Sequence, residues 1–236
     1  MYLTADMKMA EVITNNPYLL VILENFNIKM PVQDQSVYEV CTKFNIHTDL
    51  FLIISNLYNG LKHQPLHPLT HEDAITITKY LKNTHQYYLK EIYPEIIDSI
   101  RQLSERNNHK EMLMVDNFFC DYFEEVKEHL DYEDQVVFPY VRDLSDQISH
   151  KANKLLNSKY SVREYQDHHN DIQEKLNDLK NLLIKYLPQE NDQSLRRKVL
   201  FRLSEIEYDI AVHAKIEDLI LIPLVESMEF HLGKLK

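Results

Sequence analysis

Apolar residues along this chain recur at helical intervals rather than in strict alternation, and two regions differ in how long each run lasts. In the first sixty residues the runs are short and predict small helices over 7–14, 18–26, 36–44 and 48–59. Ser36 and Thr48 are placed as N-caps, and Gly60 as the stop after the fourth helix. Residues 61–69, with Pro65 and Pro68, break the pattern. Thr70 then opens a long helix with Asp73 three residues on, and Ile75, Tyr80, Leu81, Tyr88 and Leu89 continue its apolar stripe toward a kink at Pro94. Further long helices are predicted over 110–144, 162–186, with Pro188 just beyond, and 193–228, with 145–159 as a helical crossover. Four long helices with short connections pack as an antiparallel bundle. The expected organisation is all-α: a small helical N-terminal domain over 1–62, a linker over 63–69 and a four-helix bundle over 70–236.

Composition sharpens this picture. Two glycines and eight prolines in 236 residues leave few residues for the many tight turns of an all-β or nucleotide-binding α/β chain. The net charge of −11 is spread along the chain, which argues against nucleic acid or an anionic membrane as partner. No stretch of about 18 apolar residues is present to span a bilayer. The first residues also lack a basic segment followed by an apolar core, so a soluble, cytoplasmic protein is expected. Cys41 and Cys120 stand alone, with the spacing of neither a disulfide framework nor a zinc ribbon, and are read as small buried hydrophobes.

An internal repeat carries the chemistry. His129, Glu133, Asp134, Pro139 and Val141 recur 84 positions later as His213, Glu217, Asp218, Pro223 and Val225, and the same offset carries His85 on the first long helix to His169 on the third. Residues four apart share a helical face, so each His-x-x-x-Glu points an imidazole and a carboxylate the same way. One such pair is usually a solvated ion pair. Two inside a shared longer pattern, with a second histidine pair at the same offset, point to a site in the bundle core. Its six ligands would be His85, His129, Glu133, His169, His213 and Glu217. That is too many donors for one tetrahedral zinc and includes no thiolate, whereas two irons sharing Glu133 and Glu217 satisfy it. Glu125 and Asp209, each four residues before a ligand histidine, are candidates to accept an imidazole N–H. Tyr88 and Tyr165 are read as core packing. Of the adjacent His168 and His169 only one can face the core, and the offset selects His169. His63, His67 and His71 fall at intervals of four, but Pro65 and Pro68 would disrupt a helix aligning them, so they are read as a polar linker. His47, His109, His150 and His231 are read as surface residues.

At these residues the sequence resembles the hemerythrin-like HHE cation-binding domain, and specifically the two-domain repair-of-iron-centres proteins. The match covers roughly residues 70–228. The resemblance implies an antiparallel four-helix bundle around an oxo- and carboxylate-bridged pair of non-haem irons, with the same six ligands. The N-terminal part is similar to that family through Asn16-Pro-Tyr-Leu-Leu, Leu23-Glu-Asn-Phe-Asn-Ile and Val37-Tyr-Glu-Val-Cys. Where the family usually places Cys-Cys-Gly-Gly, this chain has Lys29-Met-Pro-Val. The usual Glu-His of the third helix reads His168-His169.

Three classes of function follow. The first is a role in nitrosative or oxidative stress, by reduction of nitric oxide or by iron–sulfur cluster repair and iron donation. The second is reversible O2 binding or sensing without turnover. The third is a helical partner-binding protein with an incidental metal. The expected ligand is a diatomic, NO or O2. The electron donor, a homodimeric state and the assignment of catalytic residues are left open.

Overall fold

The computed structural model describes residues 1–106, 110–149, 160–166, 172–185 and 192–233. Among these the regular structure is helical throughout, and extended pairing is limited to one isolated bridge between Lys8 and Ser36. The all-α class expected from periodicity is therefore the class observed. No helix among the described residues is long and apolar enough to cross a membrane.

The chain forms two compact units. The first comprises Met1–Thr84, Phe138–Val162 and Lys215–Lys236. It opens with α1 (Met9–Asn15), α2 (Leu19–Asn25), α3 (Val37–Lys43) and α4 (Thr48–Leu57). Their apolar faces bury Met9, Val12, Leu19, Ile22, Leu23, Val37, Val40, Leu50, Phe51 and Ile54. Ser36 caps α3 in a reciprocal capping box with Glu39, as placed from sequence. Thr48 is instead the first residue of α4, and His47 occupies the cap position without a side-chain cap bond.

A chain with two glycines ends these helices by using asparagine as well. Gly60 (φ +69°) closes α4 with bonds from its own N–H to Leu57 O and from Leu61 N–H to Asn56 O. Asn27 (φ 57°) closes α2 through Asn27 N to Glu24 O and Ile28 N to Leu23 O, and Asn45 (φ 54°) closes α3 through Asn45 N to Thr42 O and Ile46 N to Cys41 O. Asparagine tolerates the left-handed conformation better than other residues bearing a Cβ. Helix α5 (His71–Tyr87) starts from Thr70, whose N–H donates to Asp73 Oδ2 at 2.7 Å, and Phe26 packs on Tyr80 with ring centroids 4.7 Å apart. In the same unit α8 (Phe138–Ile148) and α12 (Ile222–His231) are joined by the Tyr140 hydroxyl donating to buried Glu229.

The second unit comprises His85–Val137 and Arg163–Ala214. It holds α6 (Tyr93–Arg106), α7 (Lys110–Tyr132), α9 (Val162–Gln166), α10 (Ile172–Lys185) and α11 (Gln193–Ile216). Helix α7 packs on α6 and on α10. Lys180 of α10 pairs with Glu207 of α11, and Lys198 of α11 pairs with Glu95 of α6 at 3.0 Å, which closes a ring of four helices. The interior is apolar, with Tyr93, Ile96, Ile100, Val115, Phe119, Val126, Leu179, Leu203 and Ile206 buried together. The third predicted helix is seen as α9 and α10, and Pro188 lies outside the described residues. So does most of the predicted crossover over 145–159, whose first residues extend α8.

The kink expected at Pro94 takes a definite form. Three π-helical turns, Tyr88–Ile92, Glu133–Val137 and Glu217–Leu221, each lie just before a proline in the second position of the next α segment: Pro94, Pro139 and Pro223. Proline lacks an N–H, and its ring collides with the carbonyl four residues back. A widened turn immediately upstream relieves both problems, as in the bonds Tyr93 N to Tyr88 O and Ile222 N to Glu217 O. The third helix supports proline as the cause. There the 84-residue offset replaces Pro94 by Asp178, and α10 stays regular. Asparagine's role at helix ends is testable at the exposed Asn45. Asn45→Ala is expected to lower stability by about 1 kcal/mol and Asn45→Gly not to lower it, measured by chemical denaturation. Equal losses in both would contradict a conformational role.

Candidate metal centre

His85 lies near the end of α5, three residues before the first π turn. His129 lies in the last turn of α7, and Glu133 opens the second π turn. His213 lies in the last turn of α11. These four side chains converge inside the second unit. Glu133 is 0% exposed and His85 0%. Glu133 Oε1 is 2.9 Å from His129 Nε2, and Glu133 Oε2 is 3.2 Å from His85 Nε2. His85 Nε2 is 3.4 Å from His213 Nε2, and one donor atom from each of His85, Glu133 and His213 lies within 4.8 Å of the others. The two oxygens of one buried carboxylate thus face imidazoles from two different helices.

Glu217 opens the third π turn four residues after His213 and is 1% exposed. His169, like His168, lies outside the described residues. The helical spacing of His-x-x-x-Glu therefore does what the sequence pattern required at 129/133, where both groups share one face of the helix.

Several neighbours differ from the sequence-based expectation. Tyr165 is not simply core packing, since its hydroxyl donates to Glu133 Oε1 at 3.2 Å. Tyr88 likewise directs its hydroxyl to Asp209. Asp209 is 1% exposed and accepts this phenol's hydrogen bond. Glu125 pairs with Lys175 on an exposed face. Asp134 holds the outer nitrogen of an imidazole: its Oδ1 lies 3.1 Å from His85 Nδ1 and so turns His85 Nε2 toward the centre. Asp134 carried a signal that sequence reasoning left unused: it is one of the five positions matched in the repeat.

The electrostatics follow from this packing. Burial pushes His85 toward the neutral form, but hydrogen bonds to Asp134 and Glu133 outweigh it and raise its pKa to about 9. Burial opposes ionisation of Glu133, yet His129 and His85 hold its carboxyl well below the usual range. Without a metal, His85 and Glu133 form an imidazolium–carboxylate pair. Imidazole and carboxylate donors at this depth, free of competing water, fit a borderline cation such as iron. The donor set present therefore suits a metal.

A pH dependence follows with a defined sign. His85 has a raised pKa, so the stability it contributes is fully present below its ordinary value of 6.5 and is lost as pH rises through about 9. A cation needs the neutral imidazole and displaces that proton. Apparent metal affinity of the metal-free protein is expected to fall as pH drops from 9 toward 6, with proton release on binding. Calorimetric titrations in buffers of different ionisation enthalpy measure both, and a pH-independent affinity without proton release would contradict this wiring.

No curated protein matches the chain. The model of the hemerythrin HHE cation binding domain matches residues 76–225, well over half of its length and a span that contains all the converging side chains described above. The chain belongs to the hemerythrin HHE cation binding domain family, a family of metal-binding helical proteins.

Proposed function

We propose that this chain is a non-haem di-iron protein that reduces nitric oxide in nitrosative stress, with His85, His129, Glu133, His169, His213 and Glu217 holding the two ions. The observation that supports this most is Glu133, a fully buried carboxylate with one oxygen toward His129 and the other toward His85. A carboxylate so flanked is built to serve two cations. Two ferrous ions held by these residues would supply electrons and a place for a diatomic ligand.

The protein's own residues set the conditions. Asp134 and Tyr165 fix the orientation of His85 and Glu133. The apolar layer of Tyr93, Phe119 and Val126 adds walls that a small uncharged diatomic crosses more readily than ions do. Reducing two NO to N2O and water consumes two electrons and two protons, so an external electron donor is required.

Within the stress-response class, two features favour NO chemistry over cluster repair. Residues 29–32 carry no thiol where the resembling proteins have a cysteine pair. Cys41 cannot replace it, because burial pushes its thiol up to about 12 and leaves no thiolate at neutral pH.

Anaerobically prepared, iron-loaded protein given a reductant is expected to consume NO over many turnovers. Reversible O2 binding without NO turnover would replace this reading with carriage or sensing. His129→Ala and His213→Ala are each expected to lower both iron content and melting temperature, since ligand bonds contribute to folding. Iron analysis of each variant checks the assignment residue by residue.

A further inference from the structure

Residues 61–69 are more than a spacer, because they are fastened to α4 through Asp49. Asp49 is 4% exposed and accepts backbone N–H groups from Leu66 on Oδ1 and from His67 on Oδ2, both at 3.0 Å. Three imidazoles surround this one carboxylate. His67 Nδ1 is 3.0 Å and His47 Nε2 3.7 Å from Oδ2, while His63 Nε2 is 3.6 Å from Oδ1. One donor atom from each of His47, Asp49 and His67 lies within 4.8 Å of the others.

The far nitrogens of two of these rings are anchored. His47 Nδ1 is bonded to Asp73 Oδ2 at 3.0 Å, and His63 Nδ1 to the Tyr2 hydroxyl at 2.6 Å. Each ring therefore turns Nε2 toward Asp49. The His63 side chain is only 8% exposed, and its Nε2 makes no hydrogen bond. His71, the third histidine of the sequence run, turns elsewhere and bonds Ser149.

Hydrogen bonding accounts for His67 but not for the other two rings. Separations of 3.7 and 3.6 Å are too long for hydrogen bonds. The His47 separation is close to the edge, about 3.3 Å, of a tetrahedron with metal–ligand bonds of about 2.0–2.1 Å, and His63 faces the other oxygen of the same carboxylate at a similar separation. Imidazoles whose outer nitrogen is held by a carboxylate or hydroxyl, around a carboxylate that itself accepts backbone N–H groups, are what a metal site and its supporting partners look like. The donors are nitrogen and oxygen: His47, Asp49 and His67 lie within mutual reach, and His63 Nε2, against the other oxygen of Asp49, is the nearest further donor, so an ion held by all four would be the closed, structural kind.

We propose that His47, Asp49, His63 and His67 form a second site, for a single divalent cation of the zinc class. This ion fastens residues 61–69 to the start of α4. His67, whose side chain is 75% exposed, is the ligand an incoming ion meets first.

The test titrates the metal-free full-length protein with cobalt(II) and, separately, zinc(II), alongside His67→Ala and the double variant His63→Ala/His67→Ala. The double variant is expected to bind one ion fewer per chain and to lose the intense visible absorption of the corresponding tetrahedral cobalt. Tyr2→Phe, which removes only the outer partner of His63, is expected to weaken this ion about tenfold. Because His67 is largely exposed, His67→Ala keeps the fold, and circular dichroism of the metal-free proteins verifies it. The stoichiometric difference isolates this site whatever the His85–Glu133 centre binds. Equal metal content and affinity in the wild type and His67→Ala would overturn the proposal.

Discussion

An ionised carboxylate held away from water is the constraint around which the second unit is organised. Desolvating such a group costs several kcal/mol unless partners of opposite charge or strong donors meet it. Glu133 finds three, on three different helices: His85 near the end of α5, His129 one turn back on α7, and the hydroxyl of Tyr165 on α9. Each contact sets the rotation of its helix about its own axis. The apolar layer of α6, α7, α10 and α11 then closes with Ile96, Phe119, Leu179 and Leu203 facing inward. The polar centre and the hydrophobic core thus specify the same helix orientations.

Much of this was legible in the chain because two periodicities coincide. The 3.6-residue period marks the helices, and the 84-residue offset marks which polar positions on them belong together. Capping at Ser36 and Thr70 and the left-handed stop at Gly60 could be read locally, since each depends on residues within one turn. What could not be read depends on contacts across the chain. Asp134 as the partner of His85 spans 49 residues, and Tyr88 with Asp209 spans 121. The clustering of His63 and His67 on Asp49 was hidden for another reason. Helical spacing was the wrong test for a segment whose prolines prevent a helix, and its geometry comes instead from backbone N–H groups bound to a carboxylate.

The two halves of the repeat have not kept identical backbones. Glu133 and Glu217 each open a π turn, and each is followed six residues later by proline. The first long helix has its own π turn and Pro94, whereas the third has Asp178 and a regular α10. Widened turns therefore adjoin three of the candidate ligands, His85, Glu133 and Glu217, where the extra backbone room adjusts how each side chain enters the interior. The N-terminal part departs from its resembling proteins in a chemical sense as well. It has three histidines gathered at Asp49 and lacks the thiol pair, so its contribution is read as holding structure rather than exchanging thiols.

The central claim is that the imidazoles and carboxylates around Glu133 hold two irons side by side. X-ray absorption at the iron edge of the loaded, full-length protein tests it most directly, together with the iron count per chain. The proposed function predicts two irons per chain, nitrogen and oxygen neighbours only, and an iron–iron scattering distance on the order of 3–4 Å. A single iron per chain with no metal neighbour, or sulfur in its coordination shell, would contradict it.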